Sequence, residues 1–176
     1  TILAGNIEKK LKGVKCFTIK MDWTLKSRNS REKSLKIYNE NNSEFLYEAE
    51  DHMNLKIVSE VLKKIKNFNS NSKTKNLKIE LKNLYNREGT AKNDLSIKKN
   101  LDSNYVIIVE GHYTGHRLIY EYLDYNVLLL CDKNELIKRK IERVKNYRSP
   151  KITKKYFELI DVPSFINFIS RYGNNY

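Results

Sequence analysis

The sequence predicts an α/β domain built on a doubly wound, mostly parallel sheet with helices on both faces. Two observations predict it. The runs YVIIV at 105–109 and NVLLLC at 126–131 are continuously apolar, and runs of this length mark strands buried on both faces, as in a parallel sheet covered by helices. Segments of helical periodicity alternate with these runs, the order expected of an α/β layer architecture. A chain of 176 residues fits one domain around one core.

Each element has its own signal. Residues 2–11 place Ile2, Leu3, Ile7 and Leu11 on roughly one helical face, and Gly13 ends the helix. CFTIKM, within 15–21, has strand character and is closed by Asp22. The basic stretch TLKSRNSREKS that follows is a loop or an exposed helix. Residues 55–65 space Leu55, Val58, Leu62 and Ile65 helically, and the Asn-, Ser- and Lys-rich 68–76 reads as a loop. Residues 77–84 alternate apolar and polar, the mark of a half-buried strand, with Leu95 and Ile97 in a candidate partner strand. After 126–131, Asp132 and Glu135 form a D-x-x-E capping signal for a helix from Lys133 to about Tyr147, which Pro150 interrupts. A last apolar cluster surrounds Phe157, Ile160, Phe165, Phe168 and Ile169, with Pro163 inside it.

Composition narrows the function classes little. The net charge of +13 comes from lysines spread through the chain among abundant Asn, Ile and Tyr. Such a chain attracts any polyanion, nucleic acid or nucleotide. No stretch reaches the ~20 apolar residues of a membrane helix, and the N-terminus lacks a signal-peptide profile. Cys16 and Cys131 lie inside apolar runs. They read as small core residues rather than a disulfide, as suits a reducing cytoplasm.

Two strands end in a carboxylate, Met21-Asp22 and Val109-Glu110. Ligands of an open parallel sheet bind beyond the carboxyl ends of its strands. An acid there can hold Mg²⁺ or accept the proton of an attacking hydroxyl, and both tasks belong to phosphoryl transfer. Each acid alone reads equally as a cap for the element that follows. The helix KRKIERVKNYR over 138–148 adds Arg139 and Arg143, which are i, i+4 neighbours, and then Arg148. Guanidinium forks fit phosphate oxygens; the bland alternative is a solvated helix face.

Taken together these residues resemble the uridine kinase and phosphoribulokinase group of P-loop kinases. TILAGNIEKKL resembles the helix after the Walker A loop, with Thr1 at its Mg²⁺-binding hydroxyl residue or one position later. IKMDWTLKSRNSR is similar to the family's strand, aspartate, aromatic residue and basic loop. The resemblance makes Asp22 the group that activates the acceptor hydroxyl. VIIVEG is similar to the second acidic strand and implies that Glu110 lies on the metal side. RKIERVKNYR resembles the lid helix, here 133–150, with Arg143 as its phosphate-binding arginine and Arg139 and Arg148 as further nucleotide contacts. Asp51, before His52, together with Tyr85 and His112, falls where acceptor contacts are expected. The resemblance implies ATP and Mg²⁺ as cofactors.

The chain departs from the family in three places. It starts just after the glycine-rich loop and the central strand before it, and RYGNNY stops where a last strand follows. A partial domain, inactive by itself, is the expectation. Thr90 stands at the usual histidine, and Val144 stands where uridine kinases often carry Asp.

The expected activity is transfer of the γ-phosphate of ATP to a hydroxyl of a small molecule, a nucleoside or sugar. A vitamin or a nucleotide acceptor stays open, as does a homo-oligomer. The competing reading is a basic nucleic-acid-binding domain without catalysis. Strand ends that carry acids are the wrong edge for a polyanion unless Mg²⁺ is present.

Overall fold

The computed structural model describes residues 2–70, 76–87, 91–102 and 104–176, without the side chains of 69 and 70. It is a mixed α/β structure. Helix α1 (Ile2–Lys10) leads through Gly13, at φ +81°, into strand β1 (Lys15–Lys20). The reversal needs a residue without Cβ at that φ. Strand β6 (Tyr105–Glu110) pairs with β1 in parallel, Lys15 opposite Tyr105 and Lys20 opposite Glu110. Both strands therefore deliver their acids, Asp22 and Glu110, to the same edge, as the sequence predicts.

Between them the chain makes two antiparallel hairpins. Helix α2 (Arg28–Lys33), capped by Ser27 Oγ, precedes the short pair β2 (Lys36–Asn39) and β3 (Glu44–Leu46). Helices α3 (Ala49–His52) and α4 (Leu55–Ser70) follow. The α4 helix runs past the expected end at Ile65 and through the start of the stretch read as loop; the rest of that stretch, 71–75, lies outside the described residues. Strands β4 (Leu77–Tyr85) and β5 (Asn93–Leu101) form the second hairpin. The alternation of Ile79 and Leu81 is broken at Asn83, whose φ is +55°, and the register shifts so that Leu84 is buried. A one-residue bulge of this kind re-aims every later side chain.

One core unites β1, α4 and the β4–β5 hairpin through Ile19, Met21, Met53, Leu55, Val58 and Leu81, each nearly inaccessible to solvent. Beyond β6 come α5 (Arg117–Tyr120), α6 (Lys133–Val144), α7 (Pro150–Tyr156) and α8 (Val162–Tyr172). Asp132 Oδ1 accepts from the Asn134 and Glu135 amides, so the predicted cap is present. The helix ends at Val144 rather than about Tyr147, and Pro150 opens α7, where a missing N–H costs nothing. A π-helical turn, Phe157–Asp161, joins α7 to α8, with Pro163 just inside α8.

Two expectations fail. Residues 126–131 form no strand; Val127, Leu129 and Leu130 are 72%, 67% and 75% exposed. An apolar run states a preference for burial, but a strand also needs a paired neighbour, and none of the described residues supplies one. Cys131 is exposed for the same reason, while Cys16 is half-buried; both are free thiols. Parallel pairing among the described residues is confined to β1 and β6. With one edge of β6 unpaired there, its side chains are half-exposed rather than buried on both faces. No helix among the described residues is long and apolar enough to cross a membrane.

A cationic candidate site at the strand ends

Asp22 opens the 3-10 turn Met21–Thr24 directly after β1. The turn is tied down on both sides. Thr24 Oγ1 donates to the Met21 carbonyl, the Asn54 amide donates to the Thr24 carbonyl at 2.7 Å, and the Lys26 amide donates to the His52 carbonyl at 3.1 Å. Asn93 Nδ2 donates to the Leu25 carbonyl, docking the β4–β5 hairpin against the same loop. The hairpin carries Arg87, whose guanidinium pairs with Asp22 Oδ2.

The turn after β6 supplies the opposite wall. Gly111 has φ +129°, and a Cβ there would stand 2.8 Å from Met21 Cβ, so only glycine lets β6 turn this close to β1. His112 follows. Protein atoms crowd its ring, yet water still reaches the residue. Burial, foremost, and the positive charges of Arg143, Lys140 and Arg87 lower its pKa, while Asp22 opposes them. Charges carried by helix α6, the β4–β5 hairpin and the Asp22 turn thus all act on His112.

A second cluster adjoins the first. Arg31 Nη1 lies 3.3 Å from His52 Nε2, and His52 Nδ1 lies 3.1 Å from the Tyr113 hydroxyl. A guanidinium can only donate, so Nε2 is the acceptor and the ring proton sits on Nδ1, donated to Tyr113. The ring stacks on Tyr47 at 4.7 Å. Burial first, then the charges of Arg31, His112 and Lys140, push His52 down to about 3. The Tyr47 hydroxyl meets that of Tyr156 at 2.9 Å, and burial, together with that hydrogen bond, raises the Tyr47 pKa.

Lys140 lies over the rings of Tyr156 and Phe157 and touches the Asp161 carboxylate. Burial, then Arg143 and Arg148, push its ammonium down to about 8. The Asp161 carboxylate acts in the other direction, favouring the charged ammonium.

The predicted site residues divide accordingly. Asp22 and Arg143 both act electrostatically on His112. Arg148 joins them at the edge, its Cζ 5.1 Å from the Tyr156 ring centroid, and acts on Lys140. Tyr85 lies under Arg31, 5.8 Å from Cζ to centroid. Glu110 ends β6 and is half-buried. Two residues stand apart. Arg139 is exposed and bonds its own helix at Glu135 Oε1, 2.6 Å away. Asp51 pairs with Lys36 at 3.4 Å and lines a different groove of about 320 Å³ with Glu48, His116 and Arg171, which includes neither Asp22 nor Arg143. Thr1, and Thr90 at the histidine position, lie outside the described residues.

Sequence reasoning missed Arg31, Arg87 and Lys140. Lys140 was findable, since it is three residues before Arg143 and shares its helix face. Arg87 was not, because only the tertiary docking of the hairpin carries it to Asp22, 65 positions away. Among the described residues no group of three or more His, Cys, Asp or Glu side chains is arranged to hold a metal. No protein-family profile matches the chain, and no curated protein is significantly similar to it.

Proposed function

We propose that this chain is an ATP-dependent phosphotransferase that moves the γ-phosphate to a hydroxyl of a small molecule, in the manner of the uridine kinase and phosphoribulokinase group. The doubly wound P-loop kinase sheet is part of the same proposal. The observation that carries it is the ion pair of the carboxylate Asp22 with Arg87 beyond the carboxyl ends of a parallel strand pair, beside His112, on which Asp22, Arg143, Lys140 and Arg87 all act electrostatically. Phosphoryl transfer asks a protein for little covalent chemistry. It asks for positioning and for positive charge around the moving group.

In this reading Arg143 and Arg148, with Lys140, face the phosphates. Asp22, oriented through Oδ2 by Arg87, presents Oδ1 to the acceptor hydroxyl and accepts its proton. Tyr85, Arg31 and His112 line the acceptor side. Asp51, tied to Lys36, contributes from the adjoining groove at most. Mg²⁺ is commonly held by one or two carboxylates together with substrate phosphates rather than by an all-protein cage. A single strand-end acid, Glu110, fits that donor set, with Thr1 as the hydroxyl ligand. Bound in this way, the ion neutralises charge on the transferring phosphate.

A basic nucleic-acid-binding surface would use the same cations but leaves the carboxylate in their midst without a purpose. The test is to express the chain from its natural reading frame and follow ADP release with Mg²⁺, ATP and a panel of nucleosides, sugars, vitamins and nucleotides. Asp22→Asn is expected to lower turnover about 10²–10⁴-fold, the usual contribution of a general base, with ATP affinity little changed. Near-normal turnover in that variant would remove the mechanism. Binding to RNA or DNA that falls steeply with salt, without ATP affinity, would instead favour the nucleic-acid reading.

A further inference from the structure

The groove of about 320 Å³ that takes in Asp51 is walled by α3, α8 and the start of α5. Its charges are of two kinds. Lys36 pairs with Asp51 at 3.4 Å, and Arg171 Nη1 donates to Glu48 Oε2 at 2.8 Å. These pairs tie β2 to α3 and α8 to the residue before α3, so they hold the walls together. Glu50 and Arg117 are left over. Both are exposed and line the groove, and neither has a side chain of full opposite charge within ion-pair distance among the described residues.

His116 lines the same groove and is only 3% exposed. Its ring is held in place. The Leu118 amide donates to Nδ1 at 3.3 Å, and the Tyr172 ring packs against it at 4.7 Å. Burial disfavours the charged imidazole. With Nδ1 accepting, the neutral ring carries its proton on Nε2. The acid nearest that N–H is Glu50, whose Oε1 stands 3.9 Å away, beyond hydrogen-bond reach. Buried donors ordinarily have a partner. Here an acid without a cation, a cation without an acid and a buried N–H without an acceptor all open onto one groove.

We infer that this groove binds a small zwitterion, an α-amino acid, whose carboxylate accepts from His116 Nε2–H and Arg117 and whose ammonium donates to Glu50. The 3.9 Å gap sets the shape of the ligand. A carboxylate oxygen about 2.8 Å from Nε2 and an ammonium nitrogen at a similar distance from Oε1 then lie close together. An amino and a carboxyl group carried on one carbon meet that requirement. An anion alone would face the unmatched Glu50, and a cation alone the unmatched Arg117. A neutral hydroxyl compound would leave both charges uncompensated. The volume suits a small molecule, and the rings of Phe168 and Tyr172 offer its side chain an apolar wall. The groove includes neither Asp22 nor Arg143, so the inference does not rest on the phosphotransferase reading.

The test is calorimetric titration of the full chain with a panel of the common amino acids, and no catalysis enters the readout. At least one of them should bind with sub-millimolar affinity. Its N-acetyl derivative, which lacks the ammonium, and its carboxamide, which lacks the carboxylate, should each bind about tenfold more weakly or worse, as loss of a hydrogen bond to a charged group implies. Glu50→Gln and Arg117→Ala, both at exposed positions where folding tolerates change, should weaken the amino acid to the same degree. In Glu50→Gln the preference over the N-acetyl form should largely vanish, and in Arg117→Ala the preference over the carboxamide should shrink. Failure of every amino acid to bind at millimolar concentration would overturn the inference. So would an affinity indifferent to the two derivatives and the two substitutions, or a sugar or polyol bound more tightly than any amino acid.

Discussion

Lowering the pH should destabilise this protein through His52 before most carboxylates are reached. The ring is wedged between Tyr47 and Tyr113, its Nε2 faces a permanent cation, Arg31, and its pKa falls from an ordinary 6.5 to about 3. An unfolded His52 takes its proton as the pH falls through 6.5, whereas the folded one refuses it until about 3. The unfolded state thus binds more protons in that window, and stability contributed above 6.5 is lost as pH falls through it. At pH about 5 the ring has been held neutral across some 1.5 pH units, worth about 2 kcal/mol at ~1.4 kcal/mol per unit. That is a large part of an ordinary domain stability of ~5–15 kcal/mol.

The assay is urea unfolding at several pH values between about 7.5 and 5, on the native protein and on His52→Gln. The amide of Gln can accept from Arg31 and donate to Tyr113 but takes no proton in this range. His112 and His116, both also lowered chiefly by burial, titrate in both proteins and cancel in the difference. The native protein should therefore lose about 2 kcal/mol more than the variant over the range. Parallel stability curves, or a His52 ring that titrates near 6.5 by NMR, would refute the reasoning. Either result would mean that water or a rearranged Arg31 relieves the burial.

The remaining expectations concern the strand ends. Gly111→Ala places a methyl 2.8 Å from Met21 Cβ at a φ of +129° and should destabilise the protein by about 3 kcal/mol, read as a drop in the urea midpoint with unchanged slope. Glu110→Gln should raise the Mg²⁺ concentration needed for half-maximal phosphotransfer, and unchanged Mg²⁺ dependence would reduce Glu110 to a strand-end cap. Arg143→Ala should cost about 10²-fold or more in kcat/KM for ATP, as loss of a donor aimed at developing charge does. Arg139→Ala, which breaks only the bond to Glu135, should leave kcat/KM within about twofold. Equal losses in the two variants would contradict the placement of α6.

Local signals in the sequence were sound where the structure is local. Gly13, the CFTIK strand, the Asp132–Glu135 cap and the spacing from Leu55 to Ile65 each depend on neighbours within a few positions, and each is found. The Asn83 bulge defeats simple alternation because a single left-handed residue shifts the register, and nothing in LKNLY announces it. The 126–131 run fails for a different reason. Its apolar residues report what solvent disfavours, while strand formation depends on pairing that the run itself does not encode. The site shows the same division. Asp22 and His112 follow strands, so local reading reaches them. Arg31 and Arg87 enter through docking of α2 and the hairpin, which no local pattern specifies.

The excess of positive charge can nevertheless be sorted once helical spacing is considered. A cation with an acid three or four positions away on the same helix face has a partner that folding supplies without cost, and its pairing is surface chemistry worth a few tenths of a kcal/mol. Arg28 with Glu32, Arg139 with Glu135 and Lys145 with Glu142 are of this kind, and all three cations are exposed. Arg31, Lys140 and Arg143 have no acid at either spacing. These are the helical cations found beside His52, over Tyr156 and against His112. A cation with no local counterion gains more from a distant carboxylate, an aromatic face or a bound anion than from water alone. The +13 total therefore says little about function by itself, because much of it is spread over the surface. The part that bears on the candidate site is Arg31 from α2 with Lys140 and Arg143 from α6, each set against a histidine, an aromatic ring or a distant carboxylate rather than an acid on its own helix.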